Sequence, residues 1–316
     1  MQETNRDKID LSIIIVSWNA KEFLRQCLQS ICENINSVTC EIIVVDNDSS
    51  DGSPEMVQKE FPQVNLIRTS DNLGFAKANN IGIQQSTARY ICLVNSDITI
   101  RNGCVETMCS YMDNHPSVGV LGPRILNPDL TLQPTCRGIT TPWSALCCAL
   151  GLHTIFPRSE LFGGELMTFW PHDTIRSVDA ILGCFLMLRR ESMNKVGLLD
   201  ELYFLYREDI DWCKRFRIAG WEVVYFPDAE AIHYGGSSSS NDPIRFYIEE
   251  KRSSFLYWKK YHGKIGMFYI YMILFLAEII RIIRGITLYI FKPSEKWKFA
   301  YQIKRSMECI SWLIHV

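Results

Sequence analysis

Four apolar runs in the first hundred residues each end on acids or amides. Leu11-Ser-Ile-Ile-Ile-Val-Ser17 leads to Asn19, Glu41-Ile-Ile-Val-Val-Asp46 to Asp48 and Asp51, Val64-Asn-Leu-Ile-Arg68 to Asp71-Asn72, and Tyr90-Ile-Cys-Leu-Val94 to Asn95-Ser96-Asp97. Further along stand Glu208-Asp209 and Asp211, and then His233 after Phe226-Pro-Asp. Chemistry on a charged, phosphorylated donor needs groups that hold the nucleotide. It also needs a divalent cation to neutralise a leaving diphosphate and a base to deprotonate the nucleophile. Asp46 and the Asp48-Ser-Ser-Asp51-Gly-Ser loop offer acceptors for base and ribose, and Asp97 at a strand end is a hard oxygen ligand suited to Mg²⁺ or Mn²⁺. Each residue type also has a plainer use. Asp46, Asp48, Asp51 and Asp97 form turns and cap helices, Glu208 and Asp209 complement a helix N-terminus, and a lone histidine is more often simply hydrogen-bonded. Their occurrence together on expected loops favours a site.

The elements that must position these residues follow from periodicity. The runs from Leu11, Glu41, Val64 and Tyr90 are β-branched and continuous, as strands buried on both faces require. Between them lie helical stretches: one with Phe23, Leu24, Cys27, Leu28 and Ile31 at helical spacing, a short one over 55–61, and one over 76–85. This β-α-β-α-β-α-β order predicts an α/β fold, a mainly parallel sheet flanked by helices. In such sheets ligands bind beyond the carboxyl ends of the strands, where this sequence concentrates its polar residues. Residues 123–175 hold six prolines and an apolar stretch from Trp143 to Leu152, which reads as an excursion over the sheet covering an acceptor site. Order resumes at Val178–Leu188, followed by a helix over 190–196, an acidic loop at 206–211 before a further helix, a strand over 221–226, a Pro-Asp turn, and a Ser237–Ser240 run that reads as a flexible loop.

The net charge of −2 conceals two halves: residues 251–316 carry 12 Lys+Arg against 3 Asp+Glu, and the remainder 21 against 32. An acidic body with a basic, apolar tail suits an anionic membrane surface and gives no support to nucleic-acid binding. Within Ile265–Phe291 the uninterrupted apolar part is 13 residues, short of the roughly 20 that span a bilayer. Glu278, Arg281 and Arg284 then form a polar stripe, so the expectation is an amphipathic helix in the membrane interface; the alternative is a core helix. The 12 cysteines contain no C-x-x-C pair and read as small buried hydrophobes in a reducing compartment. The polar start, Met1–Asp10, has no signal-peptide character. The expected location is therefore the cytoplasmic face of a membrane, peripheral or monotopic.

Taken together, Ser12-Ile-Ile-Ile-Val-Ser-Trp-Asn19, Val44-Val-Asp-Asn-Asp-Ser-Ser-Asp-Gly-Ser53, Asn72-Leu-Gly-Phe-Ala-Lys-Ala-Asn-Asn-Ile-Gly82, Leu93-Val-Asn-Ser-Asp97, Val178–Arg190, Phe204–Arg215 and His233-Tyr-Gly-Gly-Ser237 resemble the family 2 glycosyltransferases, and among them the rhamnosyltransferase-like members. The resemblance covers about residues 11–240. It implies a GT-A (Rossmann-like) catalytic domain over 1–245, with a nucleotide-sugar half to about 122 and an acceptor and catalytic half after it, then a membrane-associating helical tail over 246–316. It also implies an inverting transfer, best matched by L-rhamnose from dTDP-rhamnose, to a saccharide acceptor that a membrane-facing tail suggests is polyprenyl-diphosphate-linked. By the same resemblance Asp209 is the base and Glu208 its support. Ser17, Asn19, Asp46, Asp48, Asp51, Asn72, Lys77, Asn79, Asn95 and Ser96 line the donor, and Asp97 and His233 hold Mg²⁺ or Mn²⁺. One departure stands out. The family's D-x-D reads Asn95-Ser-Asp97, with one carboxylate, so metal affinity without donor should be weak. The Q-x-x-R-W of processive synthases is absent, which implies one sugar per encounter. Two alternatives stay open: a UDP-sugar-using transferase and a degenerate, non-catalytic assembly protein. A nicotinamide enzyme is disfavoured, because Val16-Ser-Trp-Asn-Ala stands where a glycine-rich turn would be.

Overall fold

The computed structural model describes residues 9–236 and 242–315; the Ser237–Ser240 run and nearly all of the polar start lie outside them. In chain order the elements are β1 (Leu11–Ser17), α1 (Lys21–Asn34), β2 (Cys40–Asp46), α2 (Ser53–Glu60), β3 (Asn65–Arg68), α3 (Phe75–Gln85), β4 (Tyr90–Asn95), β5 (Ile98–Ile100), α4 (Cys104–Asn114), β6 (Val118–Leu126) and β7 (Cys136–Arg137). There follow α5 (Pro142–Leu150), α6 (Leu152–Ile155), α7 (Glu160–Gly163), β8 (Arg176–Ser177), β9 (Ala180–Ile181), β10 (Phe185–Arg189), α8 (Arg190–Val196), α9 (Glu208–Ile218), β11 (Glu222–His233), α10 (Pro243–Phe291) and α11 (Lys296–Ile314).

Contacts divide the chain into two compact units. The first comprises the stretches ending at Gly138 and resuming at Pro171, as far as β11. Its sheet runs β3-β2-β1-β4-β10-β6-β11-β5, with β8 on β11. The β1–β2, β1–β4, β2–β3 and β6–β11 pairs are parallel, and β10 enters antiparallel between β4 and β6. Strand β1 shows why the continuous apolar run was needed. Ile13, Ile14 and Ile15 are all fully buried. Ile13 and Ile15 join the core cluster that also holds Leu24 and Leu28 of α1, and Ile14 meets α3 at Gly82, where an added Cβ would lie 2.5 Å from its side chain. Both faces are therefore covered, as a parallel sheet demands.

Two sequence expectations change here. Glu208, Asp209 and Asp211 are in the first turn of α9, not in a loop before it. The Phe226-Pro-Asp segment is not a turn that ends a strand: it is an irregularity inside β11, whose pairing with β6 shifts between Phe226 and Glu230 and then continues. His233 thus arrives on a strand end, paired across from Ile98 of β5.

The second unit joins Ile139–Trp170 to the helices that follow Asp242. Of the 123–175 excursion, residues 139–170 thus group with the tail, and the flanking parts belong to the first unit. A capping box between Thr141 and Ser144 starts α5, and the Tyr269 hydroxyl donates to the Pro142 carbonyl at 2.8 Å. Helix α10 breaks at Gly263 (φ 63°, ψ −155°) into two arms. Trp258 from the first arm, Ile273 and Ala277 from the second, and Phe299 and Leu313 of α11 are buried. Of the polar stripe, Glu278 and Arg281 face inward, while Arg284 is exposed. Glu278 is fully buried and accepts from the Tyr247 hydroxyl and from Arg281, with the Arg305 guanidinium over the Tyr247 ring at 4.2 Å. The outward face of the second arm is apolar: Ile265 is 86% exposed and Phe291 76%, with Phe268, Met272, Leu276, Ile280, Ile283 and Ile290 also exposed.

Candidate active site

The site is assembled in the first unit at the carboxyl ends of the parallel strands. Ser17 pairs with Asp46, and Val16 with Asn95, so the ends of β2 and β4 flank that of β1, about 10 Å apart at two strand spacings. Asp46 is buried. Its Oδ2 accepts the Ser49 N–H at 3.1 Å, while its Oδ1 and the neighbouring Ser17 Oγ are buried without a hydrogen-bond partner. Burial raises the Asp46 pKa, partly offset by the bonds from Ser49. An unpartnered acceptor held in such a pocket suits an imide N–H of a pyrimidine.

The loop after β2 is shaped by its side chains. Asn19 and Asp48 adopt left-handed backbone (φ 49° and 68°). The Asn19 Oδ1 accepts the Ser50 N–H at 2.8 Å, and the Ser49 hydroxyl accepts the Asn19 N–H at 2.9 Å. Asp51 spends both oxygens on helix starts: Oδ2 accepts the Lys21 N–H of α1 at 2.8 Å, and Oδ1 the Ser53 N–H of α2 at 3.0 Å. Asn79 is likewise turned onto its own helix, donating to the Phe75 carbonyl at 2.9 Å. Lys77 is exposed on α3, Asp48 is exposed, and Ser96 is buried. The residue that holds the Asn72 loop is one the sequence did not single out, Asn47. It donates to Asn72 Oδ1 at 2.9 Å and accepts the Leu73 N–H at 2.9 Å.

Asp209 is tied to this edge through Gly183-Cys184. Its Oδ2 accepts the Gly183 N–H at 2.7 Å, and the Cys184 carbonyl accepts the Asn95 N–H at 2.9 Å. Burial pushes the Cys184 thiol up to about 12, with Asp97 and Asp209 next among the causes, so both carboxylates lie near one side chain. Three acids from positions 46, 97 and 209 are thereby brought to one end of one sheet. The two consecutive acids differ in surroundings. Both are buried, which raises both pKa values. Asp209 receives two backbone N–H bonds, from Gly183 and from Ile210 at 2.7 Å, which favour its ionised form. The Glu208 Oε2 is buried with no partner, and the Asp209 charge pushes Glu208 further up, well above the ordinary carboxylate range. Burial and the neighbouring charge thus disfavour ionisation of Glu208, while the two N–H bonds and the α9 N-terminus favour the ionised form of Asp209. Asp211 is a separate matter: fully buried, it pairs with Arg215 at 2.8 Å. The chain reaches α9 through two left-handed residues, Tyr206 (φ 69°) and Arg207 (φ 67°), strain of the kind that collects at working sites.

His233 Nε2 lies 3.1 Å from Asp97 Oδ1. Two ligands on adjacent vertices of an octahedral ion at about 2.1 Å would stand about 3.0 Å apart, so the pair fits a shared Mg²⁺ or Mn²⁺. Among the described residues no group of three His, Cys, Asp or Glu side chains gathers to bind a metal. The remaining positions would fall to phosphate oxygens and water. His233 Nδ1 faces Gln133 Oε1 at 2.6 Å, a contact that no sequence pattern signals.

Comparison with known proteins agrees with this architecture. Residues 12–141 match the model of glycosyl transferase family 2. The chain is 26% identical over 277 residues to an N-acetylglucosaminyl-diphospho-decaprenol L-rhamnosyltransferase of Mycobacterium tuberculosis, covering 80% of this chain and 85% of that one. It is 26% identical to the dTDP-rhamnosyl transferase RfbF of Shigella flexneri, covering 79% and 80%. In fold it is similar to the mannosyltransferase PcManGT of Pyrobaculum calidifontis, solved with GDP-Man and Mn²⁺ (TM-score 0.55, 14% identity, 96% and 88% covered).

Proposed function

We propose that the chain is a family 2 glycosyltransferase of the GT-A fold that moves L-rhamnose from dTDP-rhamnose, with inversion, to a hydroxyl of a polyprenyl-diphosphate-linked saccharide at the cytoplasmic face of a membrane. The observation that carries the reading is Asp209, a buried carboxylate that accepts the Gly183 and Ile210 N–H groups; Gly183 precedes Cys184, whose carbonyl anchors Asn95 beside Asp97.

Asp46 accepts from the nucleobase with its unpartnered Oδ1, and the Asn47-pinned 72–75 loop borders the phosphates. Asp97 and His233 would hold a divalent cation, which when bound supplies charge neutralisation for the departing diphosphate. Asp209 takes the proton of the acceptor hydroxyl as that oxygen bonds to the anomeric carbon. The bond from that carbon to the diphosphate breaks on the opposite face, and the nucleoside diphosphate leaves with the electron pair. A single displacement inverts the anomeric centre. Burial of Glu208 beside Asp209 opposes a second negative charge in the site.

The choice of rhamnose rests on the relatives, whose names specify it. The membrane reading is supported by the inside-out tail, with polar groups buried around Glu278 and Ile265, Phe268, Ile283 and Phe291 exposed amid 12 Lys+Arg. Exposed Ile139, Trp143, Ile155 and Phe156 give Ile139–Trp170 the same character. Apolar area rimmed by cations is what an anionic bilayer surface attracts.

Asp209→Asn tests the reading. Transfer should be abolished while nucleotide binding, followed by calorimetry, survives; near-normal turnover would move the base elsewhere. Asn95, which removes a carboxylate from the motif, favours a non-catalytic assembly role as the alternative. Release of nucleoside diphosphate from dTDP-rhamnose or a UDP-sugar by purified protein separates the two.

A further inference from the structure

We propose that Gln133 is a positioning residue: it holds His233 with the ring proton on Nδ1, so that the Nε2 lone pair is left for a cation shared with Asp97. The proposal rests on the reading of Asp97 and His233 as the cation's ligands.

Two main-chain carbonyls, which can only accept, decide where the proton sits. Asn127 Nδ2 lies 3.4 Å from the Leu132 carbonyl and 2.9 Å from Thr131 Oγ1. The amide nitrogen of Asn127 therefore faces that side, and its Oδ1 faces the other. Gln133 Nε2 is 2.9 Å from that Oδ1 and 3.5 Å from the His233 carbonyl. Turning the Gln133 amide over would set its oxygen against both acceptors at once. So Gln133 Oε1 is the atom 2.6 Å from His233 Nδ1. An oxygen acceptor at that distance requires an N–H on Nδ1. In the neutral ring Nε2 is then unprotonated. It faces Asp97 Oδ1 at 3.1 Å and the Asn95 Nδ2 at 3.4 Å. The Asn95 amide is a donor suited to that lone pair. The Asp97 carboxylate is not, so beside the neutral ring a cation placed between the two acceptors reconciles them, as a second ring proton would in the charged ring. The turn that carries this relay is itself fixed: the Asn127 N–H donates to the Thr131 carbonyl at 2.8 Å, and Leu126 bridges Leu132. Metal-bound histidines are commonly oriented by a partner on the second ring nitrogen. Here a neutral amide does so, one hundred residues away in sequence.

The test uses the full chain with ¹⁵N-labelled histidine. Long-range ¹H–¹⁵N spectra of the metal-free protein, taken where the ring is neutral, should show His233 protonated at Nδ1, with His233→Ala giving the assignment. In Gln133→Leu the Nδ1–H tautomer should lose its dominance. Mn²⁺ affinity, read by electron paramagnetic resonance in the presence of dTDP or UDP, should fall about 10- to 100-fold. Gln133→Glu, which keeps an oxygen opposite Nδ1 but loses the donor to Asn127 Oδ1, should retain the Nδ1–H tautomer. A wild-type ring protonated at Nε2 overturns the proposal, as does a folded Gln133→Leu with unchanged tautomer and Mn²⁺ affinity. Mn²⁺ affinity unchanged in His233→Ala would instead sink the ligand assignment, and the proposal with it.

Discussion

Substituting Gly74 with alanine should damage the catalytic end of the molecule from within the donor loop. Gly74 has φ +80° and ψ 179°, a region that only glycine occupies readily. A Cβ there would lie 2.3 Å from the Phe204 carbonyl oxygen, 2.7 Å from the Phe204 ring and 3.0 Å from its carbonyl carbon. Two of those three contacts are backbone, so no rotamer change relieves them. A carbon–oxygen approach of about 3.3 Å is the ordinary limit, which requires the two segments to part by about 1 Å. The same carbonyl accepts the Phe75 N–H at 2.7 Å, so parting them also loses a hydrogen bond. Backbone strain of about 1–3 kcal/mol and an unsatisfied buried group of about 1–3 kcal/mol together give about 4 kcal/mol. At about 2–4 °C per kcal/mol for chains approaching this length, Tm should drop by about 8–16 °C. Phe204 precedes the strained Tyr206-Arg207 pair and the first turn of α9, so the shift reaches Asp209. A misplacement of about 1 Å can cost about 100-fold in rate. Differential scanning calorimetry with kcat measured well below the new Tm is the assay. A variant that melts within 2 °C of the parent, as a rough bound on the smallest of these terms, and turns over normally would refute the claim that the donor and catalytic loops are clasped at this point.

Other outcomes are expected from the same geometry. Glu208 has a raised pKa in the folded chain, so the native state keeps a proton that the unfolded state loses; stability is full below the ordinary Glu value and declines as pH climbs through the raised one. Glu208→Gln should therefore match the parent's Tm near about pH 4 and exceed it near about pH 8, by about 1.4 kcal/mol for each unit of upward shift; equal curves at both pH values would show that the carboxyl is solvated. Asp46→Asn should weaken dTDP or UDP binding about 10- to 100-fold, the cost of a charged hydrogen bond of about 1.5–3 kcal/mol, and calorimetry giving an unaltered Kd would remove Asp46 from base recognition. Phe268→Glu with Phe291→Glu should lower partitioning onto anionic vesicles at least tenfold, since each buried phenylalanine is worth about 1.5–3 kcal/mol. Sedimentation of the double variant with vesicles as fully as the parent would count against insertion of this face.

What could be read in the sequence was whatever has a local cause. Ile13-Ile-Ile15 announces a strand covered on both sides because no polar residue interrupts it, and Arg190–Val196 lies at its expected helix bounds. The acids at strand ends were legible because a parallel sheet sends every such end to one edge. Contacts across large sequence separations were not. Nothing near Gln133 hints that it meets His233, and nothing near Gly183 hints that its N–H aims Asp209. The Pro227-Asp228 pair has turn chemistry, yet pairing with β6 carries β11 through it as an irregularity. The stripe at Glu278 and Arg281 has the spacing of a solvent face, and its burial follows from Tyr247 and Arg305, which belong to other helical segments.

Asn95 is where the local and the distant readings meet. By sequence it weakens the motif, because a carboxylate has become an amide. In place, its Nδ2 lies 3.4 Å from His233 Nε2, so a second carboxylate there would face Asp97, a third acid near Asp209, and the histidine lone pair. The amide trades charge for a donor that occupies the ring nitrogen's lone pair until a cation takes its place. With Asp97 and His233 as the two protein ligands in the proposed reading, cation and nucleotide each complete the other's site, because the phosphates must fill the remaining octahedral positions. Mn²⁺ and the nucleoside diphosphate should then bind with strong positive coupling, each raising the other's affinity by the same factor. Asn95→Asp should loosen that coupling by raising affinity for Mn²⁺ alone. Titrations of Mn²⁺ with and without dTDP or UDP read the factor directly, and independent binding of the two would show that the ion is held by the protein without the donor.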